Sequence, residues 1–276
     1  MLEIDRGNVA ECMWRLTHFY EKAVIPPLPE QQAIASALSD VDALITALGQ
    51  LITKKRNIKQ GAMQQLLTGE KRLPGFSGGW EVKSIGKEID LLTGFPFPSS
   101  QYSSSGIKLL RGSNIKRGVT DWSDDITEFW EEITPNLKNY TLNEGDIVIA
   151  MDGSLVGRSF AILSKKDLPA LLLQRVARIR SNKIDVGYLK EFICSDYFSK
   201  YCDLVKTVTA IPHISPQDIR NFTILLPPSK EEQQAIAQIL SDMDAEIEAL
   251  EHKQAKYKAI KQGMMQELLT GKTRLV

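Results

Sequence analysis

The chain has 276 residues, of which 43% are hydrophobic, and its 34 Lys and Arg residues balance 34 Asp and Glu residues. This length and composition predict a soluble protein with a buried core in one large or two modest domains. Zero net charge excludes attraction of nucleic acid or membrane through the overall field, so such a partner would have to meet a local patch.

Residues 1–25 are predicted to be an N-terminal extension, for which a short helix is one interpretation. Charged residues interrupt its apolar residues, so the segment lacks the apolar core of a secretory signal. No uninterrupted apolar run in the chain approaches the roughly 18 residues that span a bilayer. We therefore expect a cytoplasmic protein, with no membrane partner, whose three cysteines stay reduced.

Residues 26–73 and 227–276 are predicted to be two copies of one long helix. Residues 30–73 align with residues 232–275, and 27 of those 44 positions are identical. Each copy follows a pair of prolines and ends in the letters LLTG, and proline before and glycine after a periodic run delimit a helix. Much of the identity lies outside the apolar positions, which favours an internal duplication over shared coiled-coil composition.

Apolar residues recur at alternating steps of three and four in both copies, which predicts a coiled-coil seam. Each helix should contain about 36 to 40 residues, and the two would pair as a rod, antiparallel or crossing. Polar residues such as Gln254 and Lys261 fall on the seam near its middle and are expected to loosen the packing or set the register. The seam residues are Ile34, Leu38, Val41, Ile45, Leu48 and Ile52 in the first copy and Ile236, Leu240, Met243, Ile247, Leu250 and Leu268 in the second.

After a linker at residues 74–79, residues 80–226 change to short apolar runs that Gly, Ser, Asn and Pro interrupt, which predicts a β-rich domain. Strands are predicted within residues 107–115, 145–151, 157–163 and 175–180. Helical spacing predicts one helix over residues 186–205, and Ser215 before Pro216 predicts another short one. The fold class is α+β, a β-rich mixed globular domain flanked by two long helices that form a coiled coil.

Basic residues in the globular domain form two clusters, one after residue 107 and one at residues 175–183, with an acidic stretch at residues 121–132 between them. Lys and Arg can hold phosphates, while Asn, Gln, Ser, Thr or Arg can read base edges. A solvated charged surface explains the same composition equally well. The candidate DNA-binding residues are Lys108, Arg111, Ser113, Asn114, Lys116, Arg117, Asp152, Ser154, Arg158, Gln174, Arg175, Lys206, Thr207, Thr209 and His213.

Motifs for catalysis or metal binding are incomplete in this sequence. The stretch GSLVGRS at residues 153–159 has three residues between its glycines where a phosphate loop has four, and Arg158 stands where Lys is required. Asp146 and Asp152 lack the further partners of a metal-dependent nuclease, and a turn aspartate such as Asp152 commonly bonds its own backbone. The three histidines lack metal-ligand spacing. The chain is therefore predicted to be non-catalytic.

Repeats reading PPLPEQQAIA to LLTG, with GSNI, LNEGDIVIAMDGS, LLQRVARIR and TAIPHIS between them, resemble the specificity subunit of type I restriction-modification systems. The resemblance covers nearly all of residues 25–275. It implies that residues 30–73 and 232–275 are spacer helices and that residues 80–226 are a target recognition domain for one half of a split double-stranded DNA site.

The same resemblance implies which partners the chain has. Separate modification subunits would dock on the helices and methylate adenine, and restriction subunits would cleave the DNA. S-adenosylmethionine, ATP and magnesium would belong to those partner subunits, and this chain would hold no cofactor.

Full-length members of this family carry two recognition domains, whereas only one β-rich domain is predicted here. The chain thus resembles a half-length subunit, which would form a homodimer, pair with another specificity chain, or be a remnant. A different class of function stays open beside this resemblance, a coiled-coil adaptor whose globular domain binds protein rather than DNA.

Overall fold

The structure, a computed structural model, describes residues 25–275, and the helix considered for the N-terminal extension lies outside that range. The described chain contains two helices of 40 residues each, three short helices and ten strands. The helices are α1 (Leu28–Leu67), α2 (Val186–Ile193), α3 (Asp196–Val205), α4 (Pro216–Asn221) and α5 (Lys230–Leu269). The strands are β1 (Glu81–Ser84), β2 (Asp90–Thr93), β3 (Ile107–Leu110), β4 (Arg117–Gly118), β5 (Glu128–Trp130), β6 (Ile147–Ala150), β7 (Phe160–Ile162), β8 (Ala170–Leu172), β9 (Val176–Arg180) and β10 (Thr223–Leu226).

Both long helices end as their sequence predicts. Gly69 follows α1 with φ +70°, and Gly271 follows α5 with φ +72°. A residue without Cβ adopts this left-handed conformation with little strain, which lets the chain leave the helix. Two long helices around a β-rich domain confirm the predicted fold class.

The chain divides into two compact units, one of residues 59–243 and one that pairs the rest of α1 with the rest of α5. In the helical unit the two helices run antiparallel. Gln254 Nε2 donates to the carbonyl of Ile45 at 3.1 Å, and Lys261 Nζ lies 2.6 Å from the carboxylate of Asp42. Since these polar residues lie on the seam, their side chains fix one register between the helices.

The predicted seam residues are buried or half-buried in both long helices, but they do not all lie in the helical unit. In the helical unit, Ile34, Leu48, Ile52, Ile247 and Leu268 are buried, and Leu38, Val41, Ile45 and Leu250 are half-buried. The predicted seam residues Ile236, Leu240 and Met243 instead lie in the globular unit, where they belong to or pack against its apolar core. One window of 18 residues in α1 has a mean hydropathy of 1.2, so α1 could cross a membrane by length and composition alone. That is weak evidence for a membrane span, because apolar helices of soluble proteins have the same property.

The globular unit contains three sheets. The largest has the strand order β2-β9-β6-β7-β4, a second has the order β5-β3-β8, and β1 pairs with β10 alone. Strand β6 is buried along its whole length, with Ile147 and Ile149 in one apolar cluster and Val148 and Ala150 in another. Both faces of the largest sheet are therefore covered, which explains why β6 is a continuous apolar run.

The prediction of a single helix over residues 186–205 is wrong, because the structure has two helices there. The Ser195 hydroxyl donates to the carbonyl of Phe192 and accepts from the backbone N–H of Tyr197 at 3.2 Å. A serine that bonds the backbone on both sides ends one helix and caps the next. The short helix predicted after residue 214 is confirmed as α4, in which Ser215 accepts from the N–H of Asp218 at 3.1 Å.

Candidate functional site

The end of the largest sheet where β6 finishes is also where β9 begins. Ala150, the last residue of β6, lies opposite Val176, the first residue of β9, because the two strands are antiparallel. The backbone N–H of Met151 donates to the carbonyl of Arg175 at 2.8 Å. The loop after β6 and the turn before β9 are therefore neighbours.

Residues 206–213 form a third loop that joins this end of the sheet. The backbone N–H of Gly153 donates to the carbonyl of Pro212 at 2.9 Å, and Asp152 forms an isolated bridge with His213. A shallow cavity of about 310 Å³ lies between the three loops. It is lined by Met151, Asp152, Arg175, Ile211, His213 and Ile214.

The turn after β3 approaches the same place. A methyl group built on Gly112 would lie 3.6 Å from Asp152 Oδ1, and the neighbouring Ser113 is exposed. We call residues 112–113, 151–154, 174–175 and 206–213 together the loop end. The structure gathers here the candidates Ser113, Asp152, Ser154, Gln174, Arg175, Lys206, Thr207, Thr209 and His213, which lie far apart in the sequence.

Arg175 has an unusual backbone conformation. With φ +67°, it is the only residue other than glycine in residues 25–275 with positive φ, and it follows Gln174 in the tight turn between β8 and β9. This conformation costs an L residue with a side chain roughly 1 kcal/mol or more. The Arg175 side chain is 65% exposed, and its Nη1 donates to Asp152 Oδ2 at 2.9 Å. The Asp152 carboxylate therefore bonds an arginine, not its own turn as its sequence context suggested.

A cluster of three charges anchors the start of the 206–213 loop. Arg158 donates two hydrogen bonds to Asp203, at 3.1 and 2.5 Å, and Lys206 donates one at 2.6 Å. The hydrogen bonds from Arg158 and then Lys206 hold the pKa of the Asp203 carboxyl well below its usual range. One carboxylate faces two cations, so the cluster has a surplus positive charge beside the loop end.

Threonine side chains build the 206–213 loop from within. Thr207 Oγ1 accepts from the backbone N–H of His213 at 3.1 Å and lies 2.8 Å from His213 Nδ1, while Thr209 donates to the carbonyl of Ile211 at 2.7 Å. The loop also presents apolar side chains to solution, since Val208 is fully exposed and Ile211 is 58% exposed. Neither was among the candidate residues. The sequence offered one signal for such an exposed apolar residue, a single valine between two threonines in a segment without periodicity.

The other basic cluster points its polar groups into the domain. Asn114 is completely buried, where its Oδ1 accepts from the N–H of Arg111 at 3.1 Å and its Nδ2 donates to the carbonyl of Asp121 at 3.0 Å. Arg111 Nη2 donates to the carbonyl of Ile126 at 2.6 Å. Both side chains hold the turn after β3 in place, and Asn114 has no surface to offer to DNA.

The remaining basic candidates have partners of their own. Lys108 donates to the carbonyl of Lys166 at 2.9 Å and lies over the ring of Trp122. Lys116 and Arg117 are exposed and pair with the carboxylates of Asp121 and Asp196 at 3.6 and 3.4 Å. We call Lys108, Arg111, Asn114, Lys116 and Arg117 together the β3 cluster.

The glycines that resemble a phosphate loop have a packing role. Gly157 has φ +78°, and a Cβ built on it would lie 2.5 Å from Cβ of Cys202 in α3. Ser199 of α3 also donates to the carbonyl of Gly157 at 2.8 Å. Residue 157 must therefore be glycine so that the loop can approach α3 closely, which accounts for the motif without a nucleotide.

A β-rich domain that gathers polar loops at one end, in a chain that also contains two paired long helices, is typical of a recognition module. The comparisons name its family. Residues 77–259 match the family model described as the type I restriction modification DNA specificity domain, and the chain belongs to this family.

Two curated relatives are each 32% identical to the chain. The type I restriction enzyme MjaVIII specificity subunit of Methanocaldococcus jannaschii aligns over 267 residues, which are 92% of this chain and 62% of that protein. The type I restriction enzyme EcoAI specificity subunit of Escherichia coli aligns over 201 residues, 71% of this chain and 33% of that protein. The chain thus spans less than two thirds of the length of these relatives.

Solved structures share the fold. The S subunit of a type I restriction-modification system from M. genitalium is 15% identical and superposes with a TM-score of 0.59 over 88% of this chain and 61% of that one. The HsdS subunit from Thermoanaerobacter tengcongensis is 21% identical, with a TM-score of 0.52 over 90% of this chain and 60% of that one.

Proposed function

We propose that this chain is a non-catalytic DNA specificity subunit of a type I restriction-modification complex, and that its loop end contacts one half of a bipartite DNA site. The observation that carries this proposal is the convergence of exposed polar and basic side chains at one end of a domain of this family. Such a surface has the donors, acceptors and positive charge that base edges and phosphates require.

We infer a shorter list of contact residues from the exposure and bonding of each candidate side chain. Ser113, Ser154, Gln174, Arg175, Lys206 and His213 remain candidates for direct contact, and Arg158 acts beside them through its charge. Thr207 and Thr209 shape the loop that presents Val208 and Ile211, whose methyl groups suit the thymine methyl in the major groove. The β3 cluster, in contrast, stabilises the domain and contributes little to DNA binding.

The partners and cofactors follow from this role as parts of the same proposal. Modification subunits dock on the paired helices α1 and α5, and a restriction subunit joins the complex. S-adenosylmethionine, ATP and magnesium are bound by those subunits in the cytoplasm, where the DNA is. The second half of the DNA site is read by another recognition domain, either in a second copy of this chain or in another specificity chain.

Adenine methylation mapping tests the whole proposal. The chain is expressed with its modification subunit in a host that lacks other adenine methylation, and methylated adenines are mapped across the genome. We expect one split sequence motif, which is symmetric if two copies of this chain act together and asymmetric if another specificity chain takes part. Methylation without a sequence motif, or no methylation despite an assembled complex, would contradict the proposal.

The adaptor interpretation predicts a different result. A coiled-coil adaptor would assemble with protein partners through the globular domain, and its complex would show no sequence preference in an electrophoretic mobility shift assay. The family match supports DNA recognition, because it includes most of the globular domain.

A further inference from the structure

We propose that Arg175 reads a guanine base in the DNA half-site and that Asp152 is its positioning residue. This inference rests on the proposed function and assigns to one side chain a part in sequence specificity. Arg175 occupies a left-handed turn position, where glycine would be unstrained. A side chain held in such a position is explained by what that side chain does.

The contact with Asp152 favours a base over a phosphate as the partner of Arg175. The guanidinium and the carboxylate, 2.9 Å apart, together have no net charge, so the pair gains little from the release of DNA counterions. The Arg175 side chain is nevertheless 65% exposed, so it can reach a ligand.

The guanidinium has donors left after it bonds Asp152. One group, Nη1, donates to the carboxylate, and an arginine has five N–H bonds in a rigid plane. Two parallel bonds to O6 and N7 of guanine in the major groove are the contact that this geometry suits best. Adenine offers a donor where guanine offers O6, so a fixed arginine discriminates between the two purines.

The surroundings of Asp152 keep the pair in place. Asp152 lies two residues after the end of β6 and is bridged to His213, and its side chain is only 24% exposed. Ile211 and His213 line the same cavity as Arg175. Fixed placement of this kind is what a base-reading side chain requires, whereas a phosphate contact tolerates a mobile one.

The test uses the full chain in complex with its modification subunit and a pool of fully randomised duplexes, of about 40 base pairs so that a split site spanning several helical turns fits. The wild-type complex selects its preferred sequence from the pool, and the same selection is repeated with Arg175→Gly, Arg175→Lys and Asp152→Asn. Dissociation constants for the wild-type sequence are then measured over a range of salt concentrations.

We expect Arg175→Gly to lose the preference for guanine at one position, by about tenfold or more, and Arg175→Lys to weaken it, with the rest of the motif kept. The slope of log K against log salt should stay that of the wild type. Asp152→Asn should weaken the same preference without abolishing it, because the arginine remains and only its positioning is lost. Unchanged motifs in both Arg175 variants would overturn the inference, and so would an intact motif with a salt slope smaller by about one, which indicates a phosphate contact.

A stability measurement distinguishes this role from a structural one. Arg175→Gly removes the strained side chain, so its melting temperature should equal or exceed that of the wild type while the guanine preference disappears. Arg175→Asn, which also tolerates the left-handed conformation, gives an independent measurement of the same loss. A lower melting temperature in both variants, with the motif unchanged, would assign Arg175 to the fold alone. A wild-type complex that enriches no sequence overturns the proposed function itself, an outcome separate from failure of the Arg175 variants.

Discussion

The loop end and the β3 cluster contain the same kinds of residue but use them in opposite ways. In the β3 cluster, Asn114 is buried and Arg111 donates inward to a backbone carbonyl. At the loop end, Arg175 is exposed in a strained conformation, and threonines hold a loop that presents Val208. Charge and polarity in a sequence therefore identify candidates for DNA contact, and the partners of each side chain decide between recognition and stability.

The largest effect expected from this contrast is a loss of stability when Asn114 is replaced. Asn114→Ala leaves the N–H of Arg111 and the carbonyl of Asp121 without a buried partner, which should lower the free energy of unfolding by about 2 to 3 kcal/mol. Urea denaturation measures the change. Ser113→Ala, at the exposed neighbouring position, is the control and should change stability by less than about 0.5 kcal/mol. Equal stability of the two variants would show that the β3 cluster does not hold the turn.

The next effect compares two lysines through the salt dependence of DNA binding. Lys206→Ala at the loop end should weaken binding three- to tenfold and reduce the slope of log K against log salt by about one, as the loss of one phosphate contact does. Lys116→Ala in the β3 cluster should leave both unchanged, although Lys116 is the more exposed of the two, at 47% against 31%. Fluorescence anisotropy with the duplex that the wild-type complex selects measures both quantities. A loss in the Lys116 variant that matches or exceeds the loss in the Lys206 variant would reverse the assignment.

A smaller effect is expected for the apolar side chains. Val208→Ser should reduce the preference for thymine at one position a few-fold, because a methyl contact is worth less than a bidentate hydrogen bond. Stability should stay within about 0.5 kcal/mol, since Val208 is fully exposed. Val119→Ser is the matched control, an exposed valine next to the β3 cluster. An identical motif in the Val208 variant and the wild type would remove the thymine contact.

Much of the fold follows from periodicity, whereas little of the candidate site does. The long helices α1 and α5 are predictable because apolar residues at every third or fourth position are a local property of a helix. Among the basic residues at 175–183, however, Arg178 is buried and Arg180 bonds the carboxylate of Asp146, so Arg175 differs from both in its exposure. Such partners come from strands distant in sequence, which spacing along the chain does not show.

The smallest effect concerns pH and the charge cluster beside the loop end. Hydrogen bonds from Arg158 and Lys206 lower the pKa of Asp203 in the folded protein. A carboxyl whose pKa is lowered by folding adds stability above its unfolded pKa of about 3.9, and this contribution disappears as pH falls below that value. Asp203→Asn should therefore melt at a lower temperature than the wild type near pH 7, and the difference should shrink below about pH 4. The cluster is partly exposed, which keeps the difference small, and added salt should reduce it further at neutral pH.

Thermal melts at several pH values measure this difference in melting temperature, with Asp125→Asn from the acidic stretch as a control for the general effect of charge. A difference between Asp203→Asn and the wild type that is the same at about pH 2 and at pH 7 would show that Asp203 does not hold the start of the loop by its charge.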